Sequence, residues 1–280
     1  MHSPPVDLSA PSTGSWVFTI LCAVLLSGAT IWALQRASKG DNLGLFALAG
    51  GFVASLIEAM LDNLGLLWFA TDNHAIVFHA FGRSMPFFVV AGYAFYFGAM
   101  AYYTVYAIGK GKSGRYLWGI YAFGWVFDWA LETTGSGLGL YHYYGPQPFN
   151  VFDIPLWWMF INPALPIAAG ALFHVMRDQL KGVRGVLVVL LLPMTYGAIY
   201  GAIGWPIFVA LNSNVADVVI WGAAVLTIAQ ALLLVHLTIS GLEWYRRTTG
   251  DTALFPRTAV DRDASAAAAP DPPRPVVAAR

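Results

Sequence analysis

Charge is scarce in this chain. Of its 280 residues, 11% are Asp, Glu, Lys or Arg, 58% are hydrophobic, and mean hydropathy is +0.62. A soluble domain carries about 25% charge, so the shortage excludes an ordinary water-soluble globule and points to a lipid bilayer as solvent. Cysteine is nearly absent: Cys22 stands alone, which excludes an internal disulfide and a cysteine-rich metal site. Net charge is zero and no basic run exceeds an ordinary juxtamembrane anchor, so nucleic acid is not an expected partner. No glycine-rich phosphate loop, nucleophile elbow or dinucleotide fingerprint is present, and no cofactor is expected. The last apolar run has no lysine, which excludes a retinal Schiff base.

What is there is a series of long apolar runs. Seven of them, near 16–36, 43–70, 85–109, 115–138, 155–176, 185–211 and 216–244, are long enough to cross a hydrocarbon core of about 30 Å as helices. The expected fold is an all-α, multi-pass bundle of seven transmembrane helices. Arg36 and Lys39, then Lys110, Lys112 and Arg115, then Arg177, Lys181 and Arg184, and finally Arg246 and Arg247 lie on one side; Arg83 lies on the other. The positive-inside rule then places the N-terminus outside and the C-terminus in the cytoplasm, with a bacterial plasma membrane as the expected location. The first run follows a lead without basic residues and exceeds a usual h-region, so it reads as an anchor rather than a cleavable signal. Residues 1–15, with Pro4, Pro5 and Pro11, are expected to be a disordered lead. Residues 16–248 form the membrane domain, and the Ala/Pro-rich segment 249–280 is a disordered cytoplasmic tail.

Acids inside the apolar runs carry the functional argument. Glu58 and Asp62 lie in the second run, Asp128 and Glu132 in the fourth, and no Lys or Arg lies inside any run to neutralise them. A charged side chain at membrane depth costs roughly 2.5–3.5 kcal/mol on insertion scales, so such acids usually mark a proton path, an ion site or a catalytic acid. Residues four apart stack on one helix face. Glu58 with Asp62 therefore shares a face with Gly51, Ser55 and Gly65; Asp128 with Glu132 shares one with Tyr121, Trp125 and Gly135. Glu58 comes 15 residues after Leu43, and Asp128 comes 13 after Arg115, which matches their depths in parallel helices. The four carboxyls are expected to converge on one cavity, with at least one protonated at neutral pH because low dielectric and neighbouring acids favour the neutral form.

Asn162, Tyr196 and Tyr200 are candidate hydrogen-bonding partners, as are Asn63 and Gln230. Trp125, Tyr121 and Tyr96 are candidate substrate-binding faces. A protonated carboxyl among aromatic rings suits protonation of a carbon–carbon double bond, because the rings stabilise the resulting cation. The histidines His74, His79 and His142 fall in outer loops at spacings that fit no standard metal site, and no metal is expected. The loop 139–154 is dense in aromatics and turn residues, fitting either a lid over the outer mouth or an interfacial aromatic belt.

Leu131-Glu132, then Gly137-Leu138-Gly139-Leu140-Tyr141-His142-Tyr143-Tyr144-Gly145, then Ile154-Pro155-Leu156-Trp157-Trp158 resemble the carotenoid biosynthesis hydratase family. Those multi-span membrane proteins belong to a broader group with the membrane lycopene cyclases and membrane-bound terpene cyclases. The resemblance spans about 30 residues. It implies isoprenoid double-bond protonation by a buried carboxyl, with Glu132 as the acid, and capture of the cation by water or another alkene. A Pro-x-Glu signature associated with the lycopene cyclases is absent here, since Leu56 and Ile57 precede Glu58.

The expected function is thus a membrane enzyme that cyclises, hydrates or isomerises an apolar isoprenoid-type substrate, with Glu132 and Asp128 as acid and partner and Glu58 and Asp62 as the second pair. A proton- or cation-coupled transporter using the same acids is the alternative. A magnesium-dependent prenyl diphosphate enzyme is a third class, because the paired acids imitate metal-holding motifs. Arg83 as the lone outer cation is a poor diphosphate partner set.

Overall fold

The computed structural model describes residues 2–249, so the tail expected beyond the last helix lies outside the described residues. Helices dominate, because long runs of Ala, Leu, Val and Gly can satisfy every backbone group internally. They are α1 (Ser12–Ala37), α2 (Leu43–Gly65), α3 (Phe87–Gly109), α4 (Gly114–Gly137), α5 (Leu156–Val175), α6 (Gly182–Leu211) and α7 (Asp217–Thr249). All but α4 are long and apolar enough to cross a membrane by length and composition. Helix α4 has the length, 24 residues, but Arg115, Asp128 and Glu132 reduce its apolar character. Observed boundaries fall within a few residues of the apolar runs, except that α2 ends at Gly65, short of residue 70. The stop is local: Leu66 is left-handed with φ 57°, and its N–H donates to the Asp62 carbonyl.

Helix α2 packs on α3 and α6, α3 on α5, and α7 on α4, α5 and α6, while α1 lies against α2 and α3. Two helices approach through glycine. A Cβ at Gly51 would lie 2.5 Å from the Tyr93 carbonyl oxygen, and one at Gly98 would lie 2.5 Å from that of Ala47. Between those contacts, Tyr93–Gly98 forms a π-helical turn within α3. Such turns are rare and concentrate at functional sites. Helix α5 breaks at Asn162-Pro163, where proline cannot donate to the preceding turn.

Three two-stranded antiparallel sheets occupy the connections at one end of the bundle, where an all-α fold had no strands. β1 (Leu67–Phe69) pairs with β4 (Tyr141–Tyr143), β2 (Ile76–Ala80) with β3 (Arg83–Pro86), and β5 (Asn150–Val151) with β6 (Ile154–Pro155). The last two are hairpins whose central residues, Phe81-Gly82 and Phe152-Asp153, all have positive φ. That geometry matches the twist of the flanking strands. We refer to this as the hairpin end and to the opposite one as the basic end.

The lead expected to be disordered is instead seated on the hairpin end. Asp72 accepts from the Ala10 backbone N–H at 2.8 Å and from the Ser9 hydroxyl, Ser12 Oγ meets His74 Nε2 at 3.0 Å, and Trp16 stacks on His74. The Ala10 N–H, and next the Ser9 hydroxyl, hold the Asp72 carboxyl below its usual range. A depressed folded value stabilises the docked lead above the unfolded value of about 3.9, and this contribution is lost as pH falls through the folded value. Amide exchange over residues 6–12 should be several-fold faster in Asp72→Asn than in wild type at pH 7. Equal protection in the two proteins would refute this anchoring.

Candidate functional site

Beneath the hairpin end lies a cavity of about 100 Å³, room for several waters or a small branched hydrocarbon fragment. It is lined by Glu58 from α2, by Asp128 and Glu132 from α4, and by tyrosines, phenylalanines and one tryptophan from the surrounding elements. Three of the four expected acids therefore share it. Asp62 does not line it. One helical turn, about 6 Å, carries Asp62 past the cavity, into the part of α2 that packs on β1 and β3. There it is buried, and its Oδ2 has no hydrogen-bond partner among the described residues.

Each lining carboxyl has its own donor. The Tyr93 hydroxyl donates to Glu58 Oε2 at 2.6 Å, the Tyr143 hydroxyl to Glu132 Oε2 at 3.0 Å, and Asn162 Nδ2 to Asp128 Oδ2 at 2.9 Å. The Tyr200 hydroxyl donates to Asn162 Oδ1 at 2.8 Å, so a relay from α6 through α5 to α4 fixes the Asn162 amide. Asn162 closes the first half of α5, its own N–H still donating to the Trp158 carbonyl at 3.0 Å just before Pro163. Tyr141 donates to the Glu132 carbonyl at 2.9 Å.

Strand alternation explains the placement of Tyr141 and Tyr143. In β4, Tyr141 and Tyr143 face inward while His142 between them is exposed, the period of two expected of a strand. Of the two readings of the 139–154 loop, this segment is a cover on the cavity. Burial, and next the nearby Glu132 charge, push both phenols well above their ordinary value. Tyr143 consequently remains a donor throughout the physiological range.

The other candidates divide. Tyr96, Asn162 and Tyr200 line the cavity, whereas Trp125, Tyr121 and Tyr196 do not. Tyr121 donates to the Phe160 carbonyl, Trp125 packs on Trp129 and Phe160, and Tyr196 is buried against Phe97. Tyr96 donates to the Gly124 carbonyl at 3.1 Å. Asn63 serves structure, donating to the carbonyls of Ala59 and Phe81, and Gln230 lies away on α7. His74, His79 and His142 do not assemble: His74 is held by Ser12, His79 meets Ser84, and His142 is exposed. Among the described residues, no group of three or more His, Cys, Asp or Glu is placed to hold a metal ion.

No family model, curated protein or solved structure matches this chain.

The argument therefore rests on the site itself. Residues that sequence reasoning did not place in it are Tyr141, Tyr143 and Trp158 as cavity walls, joined by Phe18 and Cys22 of α1. Trp158 is wedged against Gly65, where a Cβ would lie 2.5 Å from Trp158 Cζ2. It stacks on Trp157 with centroids 4.4 Å apart and meets Tyr200 edge-on at 5.7 Å. The repeated Tyr-x-Tyr of residues 141–143 was the available signal for two inward rings on one strand.

Arg83, the cation of the hairpin end, is committed elsewhere. Its Nε donates to the Leu67 carbonyl, its Nη2 donates to the Tyr144 hydroxyl, and its guanidinium sits 4.5 Å from the Trp68 ring centroid. It pins the hairpin layer together and does not line the cavity.

Proposed function

We propose that this chain is an integral membrane enzyme of seven spans, N-terminus outside and C-terminus cytoplasmic, that protonates a double bond of an apolar isoprenoid-type substrate. The observation that carries the reading is the placement of Glu132. Its carboxyl faces a small, aromatic-walled cavity and is oriented by the hydroxyl of Tyr143. The three segments that resemble the carotenoid hydratases contribute Glu132, Tyr141 with Tyr143, and Trp158 to the same cavity.

The chemistry follows from those groups. Protonated Glu132 gives its O–H proton to one alkene carbon, which leaves a tertiary cation on the other. The faces of Tyr93, Tyr96, Phe97 and Trp158 stabilise that cation. Water then adds and loses a proton, or a second alkene adds and a neighbouring carbon loses one. In either case the released proton is taken up by a carboxylate, by Glu132 itself or by Asp128 or Glu58 and from there to Glu132, and its return to Glu132 closes the cycle. The first outcome is hydration, the second cyclisation, and direct loss of a different proton is isomerisation.

One observation favours the transporter alternative. Asp62 is a buried carboxyl outside the cavity with an unpartnered oxygen, as a proton relay would need. The magnesium-diphosphate reading gains nothing comparable, because Arg83 is already engaged and no metal-holding group is formed among the described residues.

The deciding experiment expresses the protein in a host supplied with isoprenoid precursors and analyses its lipid extract by mass spectrometry. A product heavier by one water, or an isomer of unchanged mass, is the expected result. A lipid extract identical to that of the empty host, across short and long precursors, would move the assignment to the transporter.

A further inference from the structure

The acid cavity has one thinly held wall, the side closed by Phe18 and Cys22 of α1. Of the six helices long and apolar enough to cross a membrane, α1 buries the smallest share of its length. In the half nearer the hairpin end its buried residues are Gly14, Ser15, Phe18, Thr19 and Cys22, whereas Trp16, Val17, Ile20 and Val24 are exposed. Spacings of three and four put the buried set on one face, through which α1 packs on α2 and α3. An element with so little buried surface opens at a lower free-energy cost than the core.

Polar bonds at the hairpin end hold this half of α1 closed. Ser15 Oγ donates to Asn73 Oδ1 at 3.2 Å and accepts from the His74 backbone N–H at 2.8 Å. Asn73 Nδ2 donates in turn to the Leu140 carbonyl at 2.7 Å, beside Tyr141 of the roof. One asparagine thus clasps α1 to the strand that covers the cavity. The docked lead adds its bonds to Asp72 and runs over that strand. A Cβ at Gly139 would lie 3.3 Å from Pro11 Cδ, and one at Gly145 would lie 3.2 Å from the His2 ring.

The other half of α1 is anchored at the basic end. Arg36 Nη2 pairs with Asp41 Oδ2 at 3.1 Å, Arg36 Nε donates to the Tyr102 hydroxyl, and Trp32 packs on Tyr102 with centroids 4.7 Å apart. Between the halves stand Ser27, Gly28 and Thr30. The Ser27 and Thr30 hydroxyls donate to the carbonyls of Ala23 and Leu26, four residues back, a pattern that bends helices. A Cβ at Gly28 would meet nothing within 4 Å, so no close approach calls for glycine there. Serine–glycine pairs are among the usual sites of helix kinks.

Resting on the reading of the acid cavity as the reaction site, we propose that the hairpin-end half of α1 is a gate, hinged at Ser27-Gly28 and latched by Asn73 and the docked lead. A roofed cavity of about 100 Å³ admits an apolar molecule only when a wall moves. Release of the clasp swings Phe18 and Cys22 out of the wall, and the cavity opens sideways into the bilayer.

Cys22, the sole cysteine and 2% exposed, is a built-in reporter of that movement. The test follows its alkylation by N-ethylmaleimide in the full chain in nanodiscs, read by peptide mass spectrometry. A Cβ at Gly14 would lie 3.4 Å from Leu138 Cβ, close to the spacing of about 3.8 Å in a disulfide. In Gly14→Cys/Leu138→Cys, alkylation of Cys22 should be at least tenfold slower after oxidation than in the same preparation reduced, a comparison in which folding is common to both arms. Ser15→Ala combined with Asp72→Asn should alkylate at least fivefold faster than wild type, and Gly28→Ala at least threefold more slowly. Equal Cys22 rates in the oxidised and reduced pair would overturn the gate, as would wild-type rates in both the latch and the hinge variants. Latch-dependent alkylation with no turnover in wild type would leave the gate assigned and sink the acid chemistry. Turnover unaffected by oxidation of the pair would do the reverse.

Discussion

Under the proposed acid chemistry, Glu132→Gln should lower product formation by at least about 100-fold while the protein remains folded. General acid catalysis contributes roughly 10²–10⁴-fold, and an amide cannot give a proton to carbon. The fold has little to lose. Glutamine keeps an oxygen able to accept from Tyr143, which donates to Glu132 Oε2 at 3.0 Å, and the Tyr141 bond goes to the main-chain carbonyl. The measurement is product per amount of monodisperse protein, taken beside Asp128→Asn. Asparagine at 128 can still accept from Asn162, so that variant tests proton return with the relay from Tyr200 intact. Wild-type turnover in Glu132→Gln would remove Glu132 as the acid.

Gly51→Ala should be among the most damaging single-methyl changes in the bundle. The added Cβ would stand 2.5 Å from the Tyr93 carbonyl oxygen and 2.6 Å from Ala94 Cα, both backbone atoms of the π-helical turn. Neither can swing away as a side chain would, so α2 must move off α3. Overpacking of this kind costs about 1–3 kcal/mol. Movement there also separates Glu58, on α2, from Tyr93, on α3, now joined at 2.6 Å. A fluorescence-detected melt should show a clear drop in Tm relative to Gly92→Ala, where a Cβ meets nothing within 4 Å. Coincident melts would show that the close approach carries no stability.

Much of the helical framework is legible in the sequence, because length and hydropathy act within one segment. The same holds for Glu58, Asp128 and Glu132, which local helical geometry brings to faces that can meet. Asp62 shows the limit of that reasoning. Helical stacking aligns it with Glu58 but says nothing of the strands that α2 meets one turn later. The bond from Tyr93 to Glu58 and the wall formed by Trp158 were hidden for the same reason. Their roles depend on a π-helical turn and on a glycine contact between Gly65 and α5, both set by tertiary packing rather than by propensity. Strands of two to five residues at the hairpin end fall below what periodicity can register inside a long apolar chain.

The docked lead has a consequence for biogenesis. Ser9 and Asp72 are 63 residues apart in the chain, and both α1 and α2 lie between them. The lead cannot latch until the chain has been made through residue 74 and the 72–74 turn lies beside it, with α1 and α2 paired between the two halves of the latch. Pairing of the first two helices is therefore recorded by a contact that closes only after both are in place, and that contact sits over the end of the molecule where the acid cavity is roofed.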